Sequence, residues 1–221
     1  VGGYAPASVL SESRNIPYQQ LSSLAGVKRS SVKPDDIPLM RKLRPDVSQS
    51  TRSDDADVAV KHGIVILAQF ANLEFKHTRE DFERLLSSEG YSRDGAVGSV
   101  KDYFDMQFAG QVKFEFTVSG IVTLSRNLDY YGGNVSSTDI SESDRNPEEM
   151  IIEACRLVDD EVDFSLYDDD GDGEVDNVFV FFAGGDEAEG AGDDCIWSHA
   201  WYLRDGAGRN VNLDGKIINR Y

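Results

Sequence analysis

The hydrophobic positions of the chain form continuous apolar runs in some segments and a regular alternation in others. The runs Gly63 to Phe70 (GIVILAQF) and Val178 to Ala183 (VFVFFA) are typical of strands buried on both faces of a sheet. Gln111 to Leu124 alternates apolar and polar residues, which predicts a half-buried strand that bends or bulges at Gly120 into a second one. A further strand is predicted over Cys195 to Leu203 (CIWSHAWYL).

Three other segments combine a helix-start signal with apolar residues at helical spacing. Thr78 and Ser99 are each followed by an aspartate at the third helical position, which is the pattern of a capping box. Asn146 followed by Pro147 is a strong start for a third helix. The residues predicted to face the core from these helices are Phe82, Leu85, Leu86, Val100, Tyr103, Phe104, Phe108, Ile151, Ala154, Cys155, Val158 and Val162.

The end of the chain predicts a hairpin between Val211 and Ile218. Asp214-Gly215 is its turn, because both residue types tolerate the positive φ angles that tight hairpin turns require. Strands and helices therefore alternate along residues 58–221. We predict a layered α/β domain, with an α+β arrangement as the alternative.

The first 57 residues differ from the rest. Five of the six prolines lie here and prevent any long regular element, and Val47 to Asp57 (VSQSTRSDDAD) is as polar as a flexible linker. We expect residues 1–57 to be a tail and residues 58–221 to be the globular part. The chain starts at Val1 without a methionine or a signal peptide, so we expect that its start was trimmed.

The chain carries 40 acidic and 22 basic residues, which gives a formal net charge of −18. This excess of acid argues against a nucleic-acid partner, because contacts to phosphate require clustered lysine and arginine. Every apolar run is far shorter than the about 20 residues that a membrane span needs, so no span is predicted. Residues 139–194 contain 21 of the 40 acidic groups but only two basic residues, both arginines.

The acidic region centres on Asp168 to Asp176, where carboxylates recur at every second position. Three carboxylates at this spacing, followed by Gly173, are typical of a loop that binds calcium through oxygen ligands. Phe179 stands where an EF-hand has its bidentate glutamate, so a complete EF-hand is excluded. The alternative interpretation is an acidic surface turn. The candidate calcium ligands are the side chains of Asp168, Asp170, Asp172 and Asp176 and the backbone carbonyl of Glu174.

No catalytic motif is evident among the residues that usually carry chemistry. The three histidines, His62, His77 and His199, lack the i, i+4 spacing of two zinc ligands on one helix. His62 is expected to be exposed before a strand. His199 stands between Trp197 and Trp201, where it is either a packed imidazole bonded to a backbone group or part of a cleft lining.

The two cysteines, Cys155 and Cys195, permit one disulfide bond. Cys155 lies on the apolar face of a predicted helix, where a buried free thiol is the commoner outcome. We therefore predict that both cysteines are unpaired.

Six short segments lie between residues 62 and 202, and their order along the chain is informative. They are GIVILAQF (63–70), GSVKDYF (98–104), GQ (110–111), YYG (130–132), DFSLYDDDGDGEVD (163–176) and IWSH (196–199). In this order they resemble the immune-inhibitor-A-type family of secreted bacterial zinc metallopeptidases. Residues 3–14 also resemble the end of that family's pro-region.

The resemblance implies a zincin-like upper subdomain, in which a twisted mixed sheet is flanked by helices. It also implies a secreted or cell-surface enzyme that hydrolyses the peptide bonds of a protein substrate with zinc-activated water. The family's His-Glu-x-x-His signature, which supplies zinc ligands and the catalytic base, is absent from this sequence. No catalytic residue is therefore carried over. We expect the chain to be the amino-terminal part of the catalytic domain and to be inactive alone.

Two features are carried over from the family. One is the calcium-like loop at Asp168, Asp170, Asp172 and Asp176. The other is Trp197-Ser198-His199 as a candidate element of the substrate cleft, although the family usually has proline at the position of Ser198.

Three arrangements remain open at the level of sequence. The chain is part of the peptidase, with a homodimer contact or a carboxy-terminal partner chain covering the half-core that it would expose. Alternatively, it is one chain of a nicked enzyme. As a third interpretation, it is a calcium-binding structural or adhesion module without catalysis.

Overall fold

The computed structural model describes residues 58–135 and 144–221. The tail and linker predicted for residues 1–57 lie outside these ranges. Helices alternate with strands along the described residues, so the α/β prediction is confirmed. The elements are β1 (Ala59–Gln69), α1 (Arg79–Ser87), α2 (Val100–Gln107), β2 (Val112–Thr123), α3 (Leu128–Tyr131), α4 (Pro147–Leu157), β3 (Val178–Phe182), α5 (Leu203–Gly206), β4 (Val211–Leu213) and β5 (Lys216–Ile218). None of these helices has the length and apolar character needed to cross a bilayer.

Three strands form a parallel sheet in the order β2-β1-β3, and β4 and β5 form a separate antiparallel pair. The central strand β1 pairs with β2 along its length but with β3 only from Ile64 to Ala68. These five residues are at most 1% exposed. Val178 is buried too, but β3 has β1 on one side only and Phe179 is 39% exposed. The prediction of a fully buried strand from Val178 to Ala183 is therefore wrong.

The alternation of side chains along β1 divides the core into two clusters, because successive strand residues point to opposite faces of a sheet. Residues 64, 66 and 68 belong to a large cluster that includes the buried side of α4. Residues 65 and 67 belong to a smaller cluster with Leu86 of α1 and Val118 of β2. Cys155 is buried in the large cluster, and both it and Cys195 are free thiols, as predicted.

Both predicted capping boxes are present. The Ser99 hydroxyl accepts a hydrogen bond from the Asp102 amide (3.1 Å), and the Asp102 carboxylate accepts one from the Ser99 amide (2.8 Å). Asp81 accepts in the same way from the Thr78 amide (3.0 Å). The helices α1 and α2, which these boxes start, pack against β2. Tyr103 was predicted to face the core but is 55% exposed, because α2 is peripheral and has no fully buried residue.

The predicted bulge of β2 at Gly120 is confirmed. The register with β1 slips between Val65 and Leu67, which leaves an extra residue in β2 around Ser119 and Gly120. The Ser119 hydroxyl accepts a hydrogen bond from the Leu67 amide (3.1 Å) and so replaces a ladder bond at the irregular position. The strand then continues to Thr123, so Gly120 lies inside one strand and does not separate two.

The segment Cys195 to Leu203 was predicted as a strand and is not one. It makes isolated bridges at Ile196 and Tyr202 and then enters α5. Carboxylates accept from two of its amides: Asp144 accepts from the Trp197 amide (3.1 Å), and Asp186 accepts from the next amide along the chain (3.1 Å). Further along, the Trp201 amide donates to the Tyr221 carbonyl (3.0 Å). Ile196 and Leu203 are the buried residues of the segment, and most of its other side chains are exposed, so its apolar composition does not indicate a buried strand.

The predicted hairpin between β4 and β5 is confirmed. Its turn residues, Asp214 and Gly215, have φ angles of 50° and 73°, which both lie in the left-handed region that tight hairpin turns require. The Asp214 carboxylate also accepts a hydrogen bond from the Phe164 amide (2.8 Å). The hairpin is thereby attached to the segment that precedes β3.

We expect Gly132→Ala to destabilise the protein by about 1–3 kcal/mol, the usual cost of overpacking a core. A Cβ atom at Gly132 would lie 2.5 Å from the carbonyl carbon and oxygen of Cys195, and a backbone cannot move aside as a flexible side chain can. Urea denaturation measures the change. Gly192→Ala is the matched control, because a Cβ there meets no atom within 4 Å. Equal stability of the two variants would contradict the close approach of the two segments.

Candidate functional site

The acidic loop lies between a short 3-10 turn, Phe164–Tyr167, and the start of β3. Backbone hydrogen bonds attach it to β5. The Val175 amide donates to the Ile217 carbonyl (2.9 Å), and the Ile217 amide donates to the Gly173 carbonyl (2.9 Å). The loop is thus held in place by the strand next to it and does not project freely from the surface.

Three of the predicted ligands come together in the loop. One carboxylate oxygen from each of Asp168, Asp170 and Asp172 lies within 4.8 Å of the other two. Gly171 and Gly173 have φ angles of 73° and 93°. These glycines therefore supply the left-handed conformations that turn the chain after Asp170 and after Asp172. Asp170 and Asp172 are exposed, whereas the side chain of Asp168 is 0% exposed.

Asp168 is the most strongly held of the three. Its Oδ1 accepts from the Asp172 amide (3.0 Å), and its Oδ2 accepts from the Gly173 amide (3.0 Å) and from Nζ of Lys216 (2.6 Å). The hydrogen bond from Lys216, assisted by the Gly173 amide, holds the pKa of Asp168 below its ordinary value. The carboxylate is therefore ionised at neutral pH and fixes the shape of the loop.

The side chains of Asp176 and Glu174 lie outside this group. The Asp176 carboxylate accepts from the Asp169 amide (3.1 Å) and lies 3.6 Å from Nζ of Lys61. The side chain of Glu174, whose carbonyl was the predicted ligand, lies 3.9 Å from a guanidinium nitrogen of Arg204. Both carboxylates thus contact cationic side chains at the edge of the loop.

Sequence reasoning missed the role of Asp169, which ties the loop to the sheet. Its carboxylate accepts from the His62 amide (2.8 Å) and lies 2.6 Å from His62 Nδ1. The expectation that His62 precedes the strand is wrong, because it lies within β1, with its side chain 41% exposed. Burial acts to raise the pKa of Asp169, but the two hydrogen bonds with His62 oppose it, and the pKa lies below its ordinary value. The available signal was the alternation of an extended chain, which points Asp169 away from the converging aspartates.

The second candidate element, Trp197 to His199, lies on the surface. Trp197 is 53% exposed. Nδ1 of His199 lies 2.6 Å from the Trp197 carbonyl, and Nε2 lies 3.0 Å from the Tyr221 hydroxyl. Because a carbonyl only accepts, Nδ1 carries the proton, and in the neutral imidazole Nε2 accepts from Tyr221. The predicted bond to a backbone group is present, but the imidazole is exposed rather than packed in a core.

Asp144, which no motif in the sequence singles out, contacts this segment. Its Oδ2 accepts from the Trp197 amide, whereas its buried Oδ1 has no hydrogen-bond partner among residues 58–135 and 144–221. Burial raises the pKa of Asp144 to about 6, the Trp197 amide and His199 oppose this, and the negative charges of Glu187 and Glu148 add to it. The Asp144 carboxylate therefore contacts the backbone of the segment that carries the exposed side chains of Trp197 and His199.

We expect Asp144→Asn to raise the melting temperature at pH 7.5 and to have little effect near pH 4. A carboxyl whose pKa is raised on folding binds its proton more tightly in the folded state, so its ionised form reduces stability above pH 6. This loss disappears as the pH falls below the ordinary value of about 4. Thermal melting between pH 4 and pH 7.5 measures the difference from wild type. Asp159→Asn, at an exposed position, is the control, and a pH-independent difference for Asp144→Asn would contradict the assignment.

Comparison with known proteins identifies the family of the chain. A family model described as Immune inhibitor A peptidase M6, catalytic domain, matches residues 53–219. Immune inhibitor A from Bacillus thuringiensis subsp. alesti is 27% identical over 182 residues, which cover 66% of this chain and 26% of that protein. The pre-pro-metalloprotease PrtV from Vibrio cholerae serotype O1 (strain M66-2) is 29% identical over 155 residues, which cover 61% of this chain and 16% of that protein.

The matches therefore span only about a quarter or less of the length of these relatives. The family match, by contrast, extends over most of this chain and includes every helix and strand of the described residues. The resemblance seen in the six sequence segments is confirmed, and the chain belongs to the immune inhibitor A peptidase family, M6.

Proposed function

We propose that this chain is part of the catalytic domain of a secreted zinc metallopeptidase that hydrolyses peptide bonds with a metal-activated water. The observation that carries the proposal is the match of residues 53–219 to the catalytic domain of the family. The relatives support it, since one of them is named a metalloprotease. A protein or peptide is accordingly the proposed substrate. Residues 1–57 are the proposed end of a pro-region with its linker, and residues 58–221 the proposed amino-terminal part of the catalytic domain.

The residues of this chain do not fit a catalytic zinc ion. The sequence contains no His-Glu-x-x-His, and its three histidines are at positions 62, 77 and 199. In the part of the chain that the structure describes, the one group of three converging metal-ligand side chains consists of aspartates alone. Catalytic zinc in peptidases requires imidazole ligands beside an open position, so we propose that polypeptide outside this sequence supplies the zinc ligands and the catalytic base.

We expect the 221-residue chain alone to show no peptidase activity, because its sequence lacks the His-Glu-x-x-His motif that supplies zinc ligands and the catalytic base. The measurement is hydrolysis of an internally quenched peptide in the presence of zinc, with and without 1,10-phenanthroline. An unrelated zinc metallopeptidase assayed in parallel shows that the substrate and the chelator work. Cleavage by this chain that phenanthroline abolishes would show that the catalytic residues lie within it.

The segment around Trp197 and His199 is the proposed contact with substrate or with the remainder of the catalytic domain. Three of its large aromatic side chains are widely exposed: Trp197 (53%), Trp201 (51%) and Tyr202 (44%). Several large exposed aromatic side chains within one short segment are typical of a surface that another polypeptide covers. The proposed occupant is a further segment of the same enzyme, and a carboxy-terminal partner chain or a second copy of this chain are the alternatives.

The acidic loop is the proposed calcium site, with a structural role. Its support is the convergence of one oxygen from each of Asp168, Asp170 and Asp172, since calcium prefers carboxylate and carbonyl oxygens. The Glu174 carbonyl and Asp176 are the further proposed ligands, of which Asp176 would have to leave its contacts with Asp169 and Lys61. Calcium would hold the turn between the end of α4 and the start of β3.

A calcium-binding structural or adhesion module without catalysis is the second candidate function. It is favoured by the same converging carboxylates, together with the absence of a zinc motif from this sequence. The sequence that follows Tyr221 in the parent gene separates the two functions. A His-Glu-x-x-His motif there supports the peptidase, and a parent protein without one supports the module.

We expect calcium to raise the melting temperature of the wild-type chain and to have a much smaller effect on Asp170→Asn. Loops of extracellular modules bind calcium with Kd values of about 10⁻⁴–10⁻³ M. Calcium at ten times Kd would therefore stabilise the folded state by about 1.4 kcal/mol. Thermal melting in calcium and in EDTA measures the effect, and Asp159→Asn, outside the loop, should behave as wild type. If millimolar calcium stabilises neither protein, the loop is a plain surface turn.

A further inference from the structure

The side chain of Lys216 enters the acidic loop from the first residue of β5. Its Nζ lies 2.6 Å from Oδ2 of Asp168. The contact is shielded from water on one side, because the side chain of Lys216 is 27% exposed and that of Asp168 is 0% exposed. Such a short, partly buried contact between opposite charges is stronger than an exposed surface pair.

Lys216 differs from the other cations around the loop in the carboxylate that it contacts. Lys61 contacts Asp169 and Asp176, and Arg204 contacts Glu174, all at 3.6–3.9 Å. None of these carboxylates belongs to the converging group of three. Across residues 58–135 and 144–221, the ammonium of Lys216 is the one cation that forms an ion pair with Asp168, Asp170 or Asp172.

We propose that Lys216 is a built-in counter-ion that competes with calcium for Asp168. This inference rests on the calcium binding proposed above and adds its regulation. A calcium ion lies about 2.3–2.6 Å from its oxygen ligands, so an ion bound to Asp168 would sit within a few ångströms of the ammonium. Two cations so close repel each other in a partly buried site. Calcium can therefore bind well only when the Lys216 side chain moves out.

The exchange is confined to one side chain. The backbone bonds of Ile217 to Gly173 and Val175 do not involve the ammonium, so β5 remains attached to the loop when Lys216 leaves. Without calcium, the ammonium partly neutralises the aspartates and the loop keeps its shape. With calcium, Lys216 becomes a free surface side chain, and the affinity for calcium is lower than the aspartates alone would give.

The test is Lys216→Met, which keeps an apolar side chain of similar length and removes the charge. We expect it to bind calcium about tenfold more tightly than wild type by isothermal titration calorimetry, because a hydrogen bond between charged groups contributes about this much. In EDTA the variant should melt at a lower temperature than wild type, and calcium should reduce the difference. Lys101→Met is the matched control, since Lys101 pairs with Asp105 on α2.

Unchanged calcium affinity in Lys216→Met would overturn the competition while leaving the calcium site intact. Absence of binding to both wild type and variant would instead overturn the calcium site, and with it the competition. A measurement on the wild-type protein keeps the test open if the variant does not fold. Acylation of lysines by an N-hydroxysuccinimide ester, read by mass spectrometry, should increase at Lys216 when calcium is bound and not at Lys101. Equal labelling of Lys216 with and without bound calcium would contradict its displacement.

Discussion

The burial of β1 on both faces is the constraint on which the rest of the structure depends. Its residues from Ile64 to Ala68 contact one cluster through even positions and another through odd positions, so both layers of helices are held by a single strand. Fully burying an aliphatic side chain contributes about 1.5–3 kcal/mol. The pairing of Ile64 with Val178 also fixes where β3 begins, and so fixes the position of the acidic loop that precedes it.

The loop joins parts of the chain that the sheet alone would leave apart. Where β3 no longer covers the edge of β1, Asp169 accepts the amide hydrogen of His62. On its other side, the loop is paired with β5 through Ile217. Its charges are therefore engaged mainly with the protein itself, which suits a structural role in a peptidase domain better than a role in the chemistry.

The elements that the sequence predicted correctly have local signals. The capping boxes at Thr78 and Ser99 and the turn at Asp214 depend on residues a few positions apart. The convergence of three aspartates is local in the same sense, since their spacing and the glycines between them determine it. The continuous run of β1 was recognisable because a strand buried on both faces needs apolar residues on both.

The contacts that the sequence did not predict join residues that are far apart in the chain. Asp169 meets His62 across 107 residues, and Lys216 meets Asp168 across 48. The segment from Cys195 has the composition of a strand, but its Trp197 amide donates to the carboxylate of Asp144, 53 residues earlier in the chain. No periodicity in the sequence contains such information. The sheet itself has the same property, because β1 must pair with a strand more than 100 residues later. Its central strand cannot be completed on the ribosome until β3 has emerged, so this domain is expected to fold slowly and late, with the apolar residues of β1 exposed during synthesis.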